Sequence, residues 1–175
     1  MKTLLNARQM DLAIQRLAHQ ILEENPPSIE TVFIGIQPRG TFFSNRVVPV
    51  LEKLYGKPVP YGQLDITFYR DDINRKLHLP NQTRIDFSVD GRNVVIIDDV
   101  LYTGRTIRSA MDALIDFGRP KKIELCVLID RRFSRELPIQ PDFTGLTIDT
   151  IFSQRVNVKW QENDGVDEVL LENEL

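Results

Sequence analysis

The sequence predicts an α/β fold: a doubly wound, mostly parallel sheet followed by a C-terminal antiparallel hairpin. Three observations predict it. Nearly continuous apolar runs at 31–36, 94–97 and 123–129 read as strands buried on both faces. Segments with helical spacing lie between them, as crossovers between parallel strands require. Near the C-terminus two short runs, 155–160 and 166–171, flank a turn at Asn163-Asp164-Gly165, the pattern of a hairpin. With 175 residues the chain is sized for one domain, spanning 1–175, around a single core covered on both faces.

Taken in order, residues 6–24 place Met10, Ala13, Ile14, Leu17, Ala18, Ile21 and Leu22 on one face of an amphipathic helix, which Asn25-Pro26-Pro27 stops. The strand 31–36 runs into a turn, Gln37-Pro38-Arg39-Gly40, and a helix over 41–55 is closed by Gly56 and Pro58. Residues 59–69 read as a strand with Leu64, Ile66 and Phe68 on one face. From 70 to 90 the apolar pattern thins, and a stretch of that length is expected to be a functional loop or hairpin excursion, a cover over a site. Val94-Val95-Ile96-Ile97 form the next strand, ended by Asp98-Asp99. A helix then opens at about Thr106, with Ile107, Ala110, Met111 and Leu114 at helical spacing, and ends at Gly118 and Pro120. The strand 123–129 leads into Asp130-Arg131-Arg132.

Composition sets limits. Hydrophobic content of 42% and charged content of 27% suit a globular protein. No apolar run reaches the length of a membrane span, and the N-terminus turns polar without a signal-peptide core, so no membrane association is expected. The one cysteine, Cys126, excludes a disulfide within the chain, and a cytoplasmic location is the default. A net charge of −3 gives no global basic footprint for nucleic acid.

The run from Val94 to Thr106 carries the chemistry. A strand, an acidic pair, a loop of glycine and hydroxyl residues and a helix N-terminus together make a binding device. Backbone N–H groups and the helix dipole attract a phosphate, and Thr103 and Thr106 can add hydroxyl donors. Gly104 allows close backbone approach. The two carboxylates can grip sugar hydroxyls or a hydrated Mg²⁺, so a sugar 5-phosphate fits both halves. Neither G-x-x-x-x-G-K-[ST] nor a strand-linked G-x-G-x-x-G occurs, so nucleoside-triphosphate and dinucleotide loops are not supported. Ligands of such sheets bind at the carboxyl ends of strands. The segments 37–40, 98–106 and 130–132 all follow predicted strands, so one crevice can gather them.

This run resembles the 5-phosphoribosyl-1-pyrophosphate (PRPP) signature of the phosphoribosyltransferases. The resemblance extends to Asp65-Ile66-Thr67-Phe68-Tyr69-Arg70-Asp71-Asp72, Gly118-Arg119-Pro120, Arg135-Glu136-Leu137-Pro138-Ile139 and Gly35-Ile36-Gln37-Pro38-Arg39-Gly40. Across nearly the whole chain it is similar to the pyrimidine-operon regulator/uracil phosphoribosyltransferase (PyrR) family. The resemblance implies a sheet of the phosphoribosyltransferase type and transfer of phosphoribose from PRPP to uracil, giving UMP and pyrophosphate in pyrimidine salvage. It implies Asp98, Asp99 and Arg39 as catalytic residues, with Asp98 and Asp99 holding the ribose hydroxyls directly or through PRPP-bound Mg²⁺. Val100, Leu101 and Tyr102 continue the PRPP segment, and Thr103, Gly104, Arg105 and Thr106 hold the 5-phosphate. Arg39 and Gly40 form the pyrophosphate turn. Asp130 and Arg131 are candidates for the base pocket, a plain solvated turn being an equal alternative. Tyr102 stands where purine-using relatives place an acidic base. A tyrosine with a pKa of about 10 is a poor base at neutral pH, which argues against hypoxanthine or guanine and for a packing or stacking role.

The same family includes proteins that bind pyrimidine-operon leader RNA. The alternative reading is therefore a UMP/UTP-sensing RNA-binding regulator of transcription attenuation. Its candidate contacts are Arg16, His19, Arg132 and Arg135, and a homo-oligomer, expected here, would double such a patch. The departures from the family fall on this side. Asp130-Arg131-Arg132-Phe133-Ser134-Arg135 is one residue longer than the usual Asp-Arg-Gly-His-Arg form and lacks its histidine, Gln140 replaces an arginine, and Glu23 and Glu24 follow His19. The enzyme reading is favoured, with RNA binding weak or absent.

Overall fold

The computed structural model describes residues 1–69, 82–151 and 153–173. Its main sheet has five parallel strands: β2 (Thr31–Ile36), β3 (Tyr61–Leu64), β4 (Asn93–Leu101), β5 (Lys122–Arg132) and β6 (Phe143–Asp149), in the order β3-β2-β4-β5-β6. Helices α1 (Ala7–Glu24) and α2 (Arg39–Tyr55) cover one face, and α3 (Arg105–Leu114) covers the other. Residues alternate between the faces as the pleat requires. Phe33, Val95, Ile97 and Leu128 pack against α1 and α2, while Val32, Ile34, Val94, Ile96 and Val127 pack against α3. The doubly wound expectation holds.

Asn6 begins α1 with a capping box. Its side chain accepts from Gln9 N at 3.0 Å, and Gln9 returns an acceptor to Asn6 N at 2.9 Å. The chain before it, β1 (Lys2–Asn6), is a strand that its five residues do not announce. It joins β7 (Gln154–Lys159) and β8 (Glu168–Asn173) in an antiparallel sheet ordered β1-β8-β7. The predicted C-terminal hairpin is therefore two strands of three. Its turn contains a short helix, α4 (Gln161–Asp164), closed by Gly165 in the left-handed region at φ 75°.

Trp160 fastens this small sheet to α2. It is fully buried, stacked on Phe43 with centroids 6.1 Å apart, and the Arg46 guanidinium lies 5.4 Å from its ring. Arg46 also binds Glu162 and Asp167 at 2.7 and 2.8 Å, and holds the Glu162 carboxyl below its ordinary range.

Several boundaries differ from the sequence reading. The strand carrying the acidic pair does not stop before it: β4 continues to Leu101, because β5 supplies ladder partners as far as Leu101↔Asp130. For the same reason β5 continues through Asp130, Arg131 and Arg132, paired to Thr147, Ile148 and Asp149 of β6. Both acids are consequently buried inside the strand's length, not set beyond its end. Helix α2 opens at Arg39, two residues before the expected start.

The predicted strand 59–69 is only Tyr61–Leu64, and Thr67–Tyr69 form a 3-10 turn. Asp65 Oδ1 accepts from Thr67 N at 2.9 Å and Thr67 Oγ1 at 2.6 Å, a local turn that breaks the alternation and leaves Phe68 83% exposed. Of the expected cover, residues 70–81 lie outside the described residues, with His78 among them. Residues 82–90 are not a loose cover. Arg84 bridges Gln63, Ile85 and Phe87 pack on the core, and Val89 is fully buried. Among the described residues no helix is long and apolar enough to cross a membrane.

Candidate functional site

Strand order reverses between β2 and β4: β2 leads to β3 on one side, β4 to β5 and β6 on the other. At such a switch point the two following connections part to opposite faces and leave a crevice at the carboxyl ends. Here α2 and α3 both begin at that crevice, and neither is closed by a side chain from its N-cap residue. Two sets of helix N-terminal N–H groups therefore flank the acidic pair.

The turn 37–40 brings α2 hard against β4. A Cβ on Gly40 would lie 2.8 Å from Asp98 Oδ1 and 2.9 Å from the Ile97 carbonyl oxygen, so only glycine allows this approach. Arg39 Nε is 3.4 Å from Asp99 Oδ2, and its Nη2 donates to the Val158 carbonyl of β7. Asp98 Oδ1 accepts from Asp99 N at 2.9 Å. Burial pushes the Asp99 carboxyl up, and Arg39 beside it opposes the shift. Arg39, Gly40, Asp98 and Asp99 thus form one cluster, as the sequence expected.

Beyond the acids, Val100, Leu101, Tyr102, Thr103, Gly104, Arg105 and Thr106 line a cavity of about 320 Å³. Gly104 sits at φ 94°, a conformation that side chains rarely adopt. Arg105 N approaches Thr103 Oγ1 at 3.4 Å. Glu136, which lies in a segment that carries the family resemblance but to which the sequence assigned no site role, lines the same cavity and binds Arg105 Nε at 2.6 Å.

Arg131 is buried and lies 3.9 Å from the centre of the Tyr102 ring. It donates to Thr150 Oγ1 at 3.1 Å and to the Gln154 carbonyl at 2.6 Å. The Tyr102 ring is stacked, which is the packing role its chemistry suggested, and Arg131 is no solvated turn. Asp130, also buried, pairs with Arg135.

The four RNA candidates do not form one free cationic patch. Arg16 donates to the Gly145 carbonyl of β6, His19 Nδ1 lies 2.8 Å from the Gln15 carbonyl, and Arg132 pairs with Asp149 at 2.8 Å. Arg135 is turned inward. Its guanidinium meets the carbonyls of Ile139 at 2.9 Å, Arg131 at 3.1 Å and Leu101 at 3.4 Å, the Tyr102 carbonyl, and the Asp130 carboxylate.

The phosphoribosyl transferase domain family matches residues 1–163 of the chain. A protein named Bifunctional protein PyrR from Limosilactobacillus fermentum is 44% identical over 174 residues, covering 97% of each chain. Another of that name from Thermus thermophilus is 47% identical over 170 residues, covering 96% of this chain and 93% of the relative. The chain belongs to the PyrR family of phosphoribosyltransferases. Fold agrees with family. A hypoxanthine phosphoribosyl transferase of Trypanosoma cruzi superposes with a TM-score of 0.75 at 17% identity, covering 97% of this chain and 90% of that one. A Staphylococcus aureus hypoxanthine phosphoribosyltransferase gives 0.70 at 18% identity, covering 96% and 90%. At such identities the likeness to these purine enzymes shows the shared fold alone.

Proposed function

We propose that this PyrR-family chain transfers the phosphoribosyl group of PRPP to uracil, forming UMP and pyrophosphate. The observation that carries the proposal is the pair of helix N-termini, α2 and α3, on either side of the buried Asp98-Asp99. A ligand with phosphates at both ends of a sugar matches that arrangement: anions at the two N-termini, hydroxyls at the acids.

In the reaction the C1′–O bond to pyrophosphate breaks, its electron pair leaving with pyrophosphate. The C1′–N1 bond to uracil forms, and the N1 proton is lost to water. Positive charge develops on the ribose as pyrophosphate leaves, so positioning and electrostatics dominate. Residues 103–106 hold the 5-phosphate at the N-terminus of α3. Arg39 and the N-terminus of α2 hold pyrophosphate and take up its growing charge. Asp98 and Asp99 orient the ribose hydroxyls beneath the reacting carbon. Tyr102, fixed by Arg131, forms a wall beside the base and supplies no acidic group to bind a purine proton.

No group of three or more His, Cys, Asp or Glu that could hold a metal occurs among the described residues. Two carboxylates nonetheless suit Mg²⁺, which retains water and substrate oxygens and needs few protein ligands. Asp98 and Asp99 would hold it with PRPP, where it supplies charge neutralisation of the departing pyrophosphate. A reducing, cytoplasmic setting fits the lone buried Cys126.

The test is formation of labelled UMP from uracil, PRPP and Mg²⁺. Replacing Asp98 and Asp99 together with Asn should abolish it while circular dichroism stays native, because the amides fill the same space. Undiminished turnover in that variant, or equal use of hypoxanthine by the parent protein, would sink the reading.

The relatives' name, bifunctional, favours one second reading: a UMP/UTP-sensing regulator that binds leader RNA. The same crevice serves it, since a nucleotide presents the ribose 5-phosphate half of PRPP.

A further inference from the structure

We propose that Arg135 and Glu136 are positioning residues, a brace that sets the shape of the phosphate loop 102–105 from outside. The inference rests on reading that loop as the cradle of the PRPP 5-phosphate.

Tyr102 and Thr103 lie between β4 and α3, so neither a ladder nor a helix fixes their carbonyls. The carbonyls of Tyr102 and Thr103 are held instead by one distant segment. Arg135 Nη1 donates to the Tyr102 carbonyl and approaches that of Leu101 at 3.4 Å. The backbone N–H groups of Glu136 and Leu137 both donate to the Thr103 carbonyl, at 3.0 and 3.2 Å. In a trans peptide the C=O and the following N–H point to opposite sides. Drawing the Tyr102 and Thr103 carbonyls toward the brace therefore turns the N–H groups of Thr103 and Gly104 away from it. Successive N–H groups on one side of a turn with a left-handed residue make an anion-binding nest, and Gly104 is that residue. Leu137 and Ile139 seat the brace against Gly104, where an added Cβ would meet them at 3.3–3.4 Å.

Arg135 itself is anchored. Its Nε donates to the Ile139 carbonyl at 2.9 Å, Nη1 to the Arg131 carbonyl at 3.1 Å, and Nη2 pairs with Asp130. A planar guanidinium can serve this many divergent acceptors, whereas an ammonium is a compact charge with three donors. Through Asp130 and Arg131 the brace also reaches β5, so one side chain registers the phosphate loop against the strand whose Arg131 stacks on Tyr102. Glu136 acts on the loop's own cation: at 2.6 Å it fixes the Arg105 Nε in the 320 Å³ cavity.

The experiment uses the full chain with Arg135→Lys, Glu136→Ala and Glu136→Gln. Arg135→Lys keeps a charge opposite Asp130 but loses the fork, and KM for PRPP should rise about tenfold or more, the size of one or two lost charge-assisted hydrogen bonds. KM for uracil should change less than KM for PRPP, and calorimetric binding of ribose 5-phosphate should weaken in parallel. Glu136→Ala, at a half-exposed side chain that the fold does not need, should raise KM for PRPP about threefold to fivefold. Glu136→Gln retains an acceptor for Arg105 and should restore it. A purely structural role would lower melting temperature and active fraction and leave KM for PRPP unchanged; that result in both Arg135→Lys and Glu136→Ala overturns the brace. Parent protein that binds no ribose 5-phosphate overturns the reading of the loop, and the brace with it. Parent protein that binds, with variants that bind equally well, overturns the brace alone.

Discussion

Gly40→Ala tests whether the close approach of α2 to the acidic pair is used in catalysis. The new Cβ would stand 2.8 Å from Asp98 Oδ1, 2.9 Å from the Ile97 carbonyl oxygen and 3.1 Å from Asp98 Cα, where ordinary contact begins at 3.4 Å. Two of the three neighbours are backbone atoms and cannot rotate aside, so the N-terminus of α2 must retreat by about 0.5 Å. Arg39 moves with it, and its 3.4 Å approach to Asp99 opens further. Overpacking costs about 1–3 kcal/mol, and alanine recovers at most about 1 kcal/mol over glycine in a helix, so the net loss is about 1–2 kcal/mol. That is about 3–6 °C in melting temperature for a chain of this size. If 1 Å of misplacement costs about a hundredfold in rate, half of it costs about tenfold.

Gly56 supplies the control at the other end of the same 17-residue helix, about 25 Å away. It lies at φ 67° with nothing within 4 Å of an added Cβ. Gly56→Ala should lose about 1–2 kcal/mol through backbone strain alone, with activity intact. Melting curves and labelled-UMP assays on both variants separate the effects. A Gly40→Ala protein as stable as Gly56→Ala and as active as the parent would refute the reasoning.

The parts of the fold legible in sequence were those carried by local periodicity. Ile34 and Ile96 lie in runs apolar on both faces, and Met10, Leu17 and Ile21 mark one side of α1. The acidic pair, the glycine and the threonines also lie within nine consecutive residues, so the heart of the site could be read directly. Features set by neighbours could not. Nothing local says that β4 runs past Asp98 and Asp99; the partner residues on β5 decide it, and with it the burial that shifts Asp99. Strand β6, Phe-Thr-Gly-Leu-Thr-Ile-Asp, is a half-exposed edge with a diluted apolar signal. Asp65 ends its strand through a side-chain turn rather than through glycine or proline. Arg135 reads in sequence as a candidate RNA contact, yet besides Asp130 its acceptors are backbone carbonyls, which no side-chain pattern records. Phe133, at φ 65° and 77% exposed, has no account in either sequence or site.

Two further predictions follow from these placements. With Arg135 turned inward and Arg132 paired to Asp149, titration with structured leader RNA and a scrambled control, at physiological salt with UMP present, should show no sequence preference at nanomolar protein. Clear preference for the leader would promote the regulator reading. The other prediction concerns Asp99 and the direction of a pH effect. Burial raises its carboxyl above the ordinary value of 3.8, so the native state keeps that proton at pH values where the unfolded chain has lost it. Stability is therefore lost as pH rises from the ordinary carboxylate range through the raised native value, and the full cost of a buried charge, only partly offset by Arg39, is present above it. Asp99→Asn removes a charge and no volume. Ligand-free Asp99→Asn should match the parent in denaturant unfolding at acid pH, where both side chains are neutral, and exceed it at neutral pH. All other titrating groups are common to the two proteins, so their difference isolates this one. A stability difference independent of pH would mean that folding leaves the Asp99 carboxyl unshifted, and one that turns in the parent's favour as pH rises would mean that Arg39 outweighs burial.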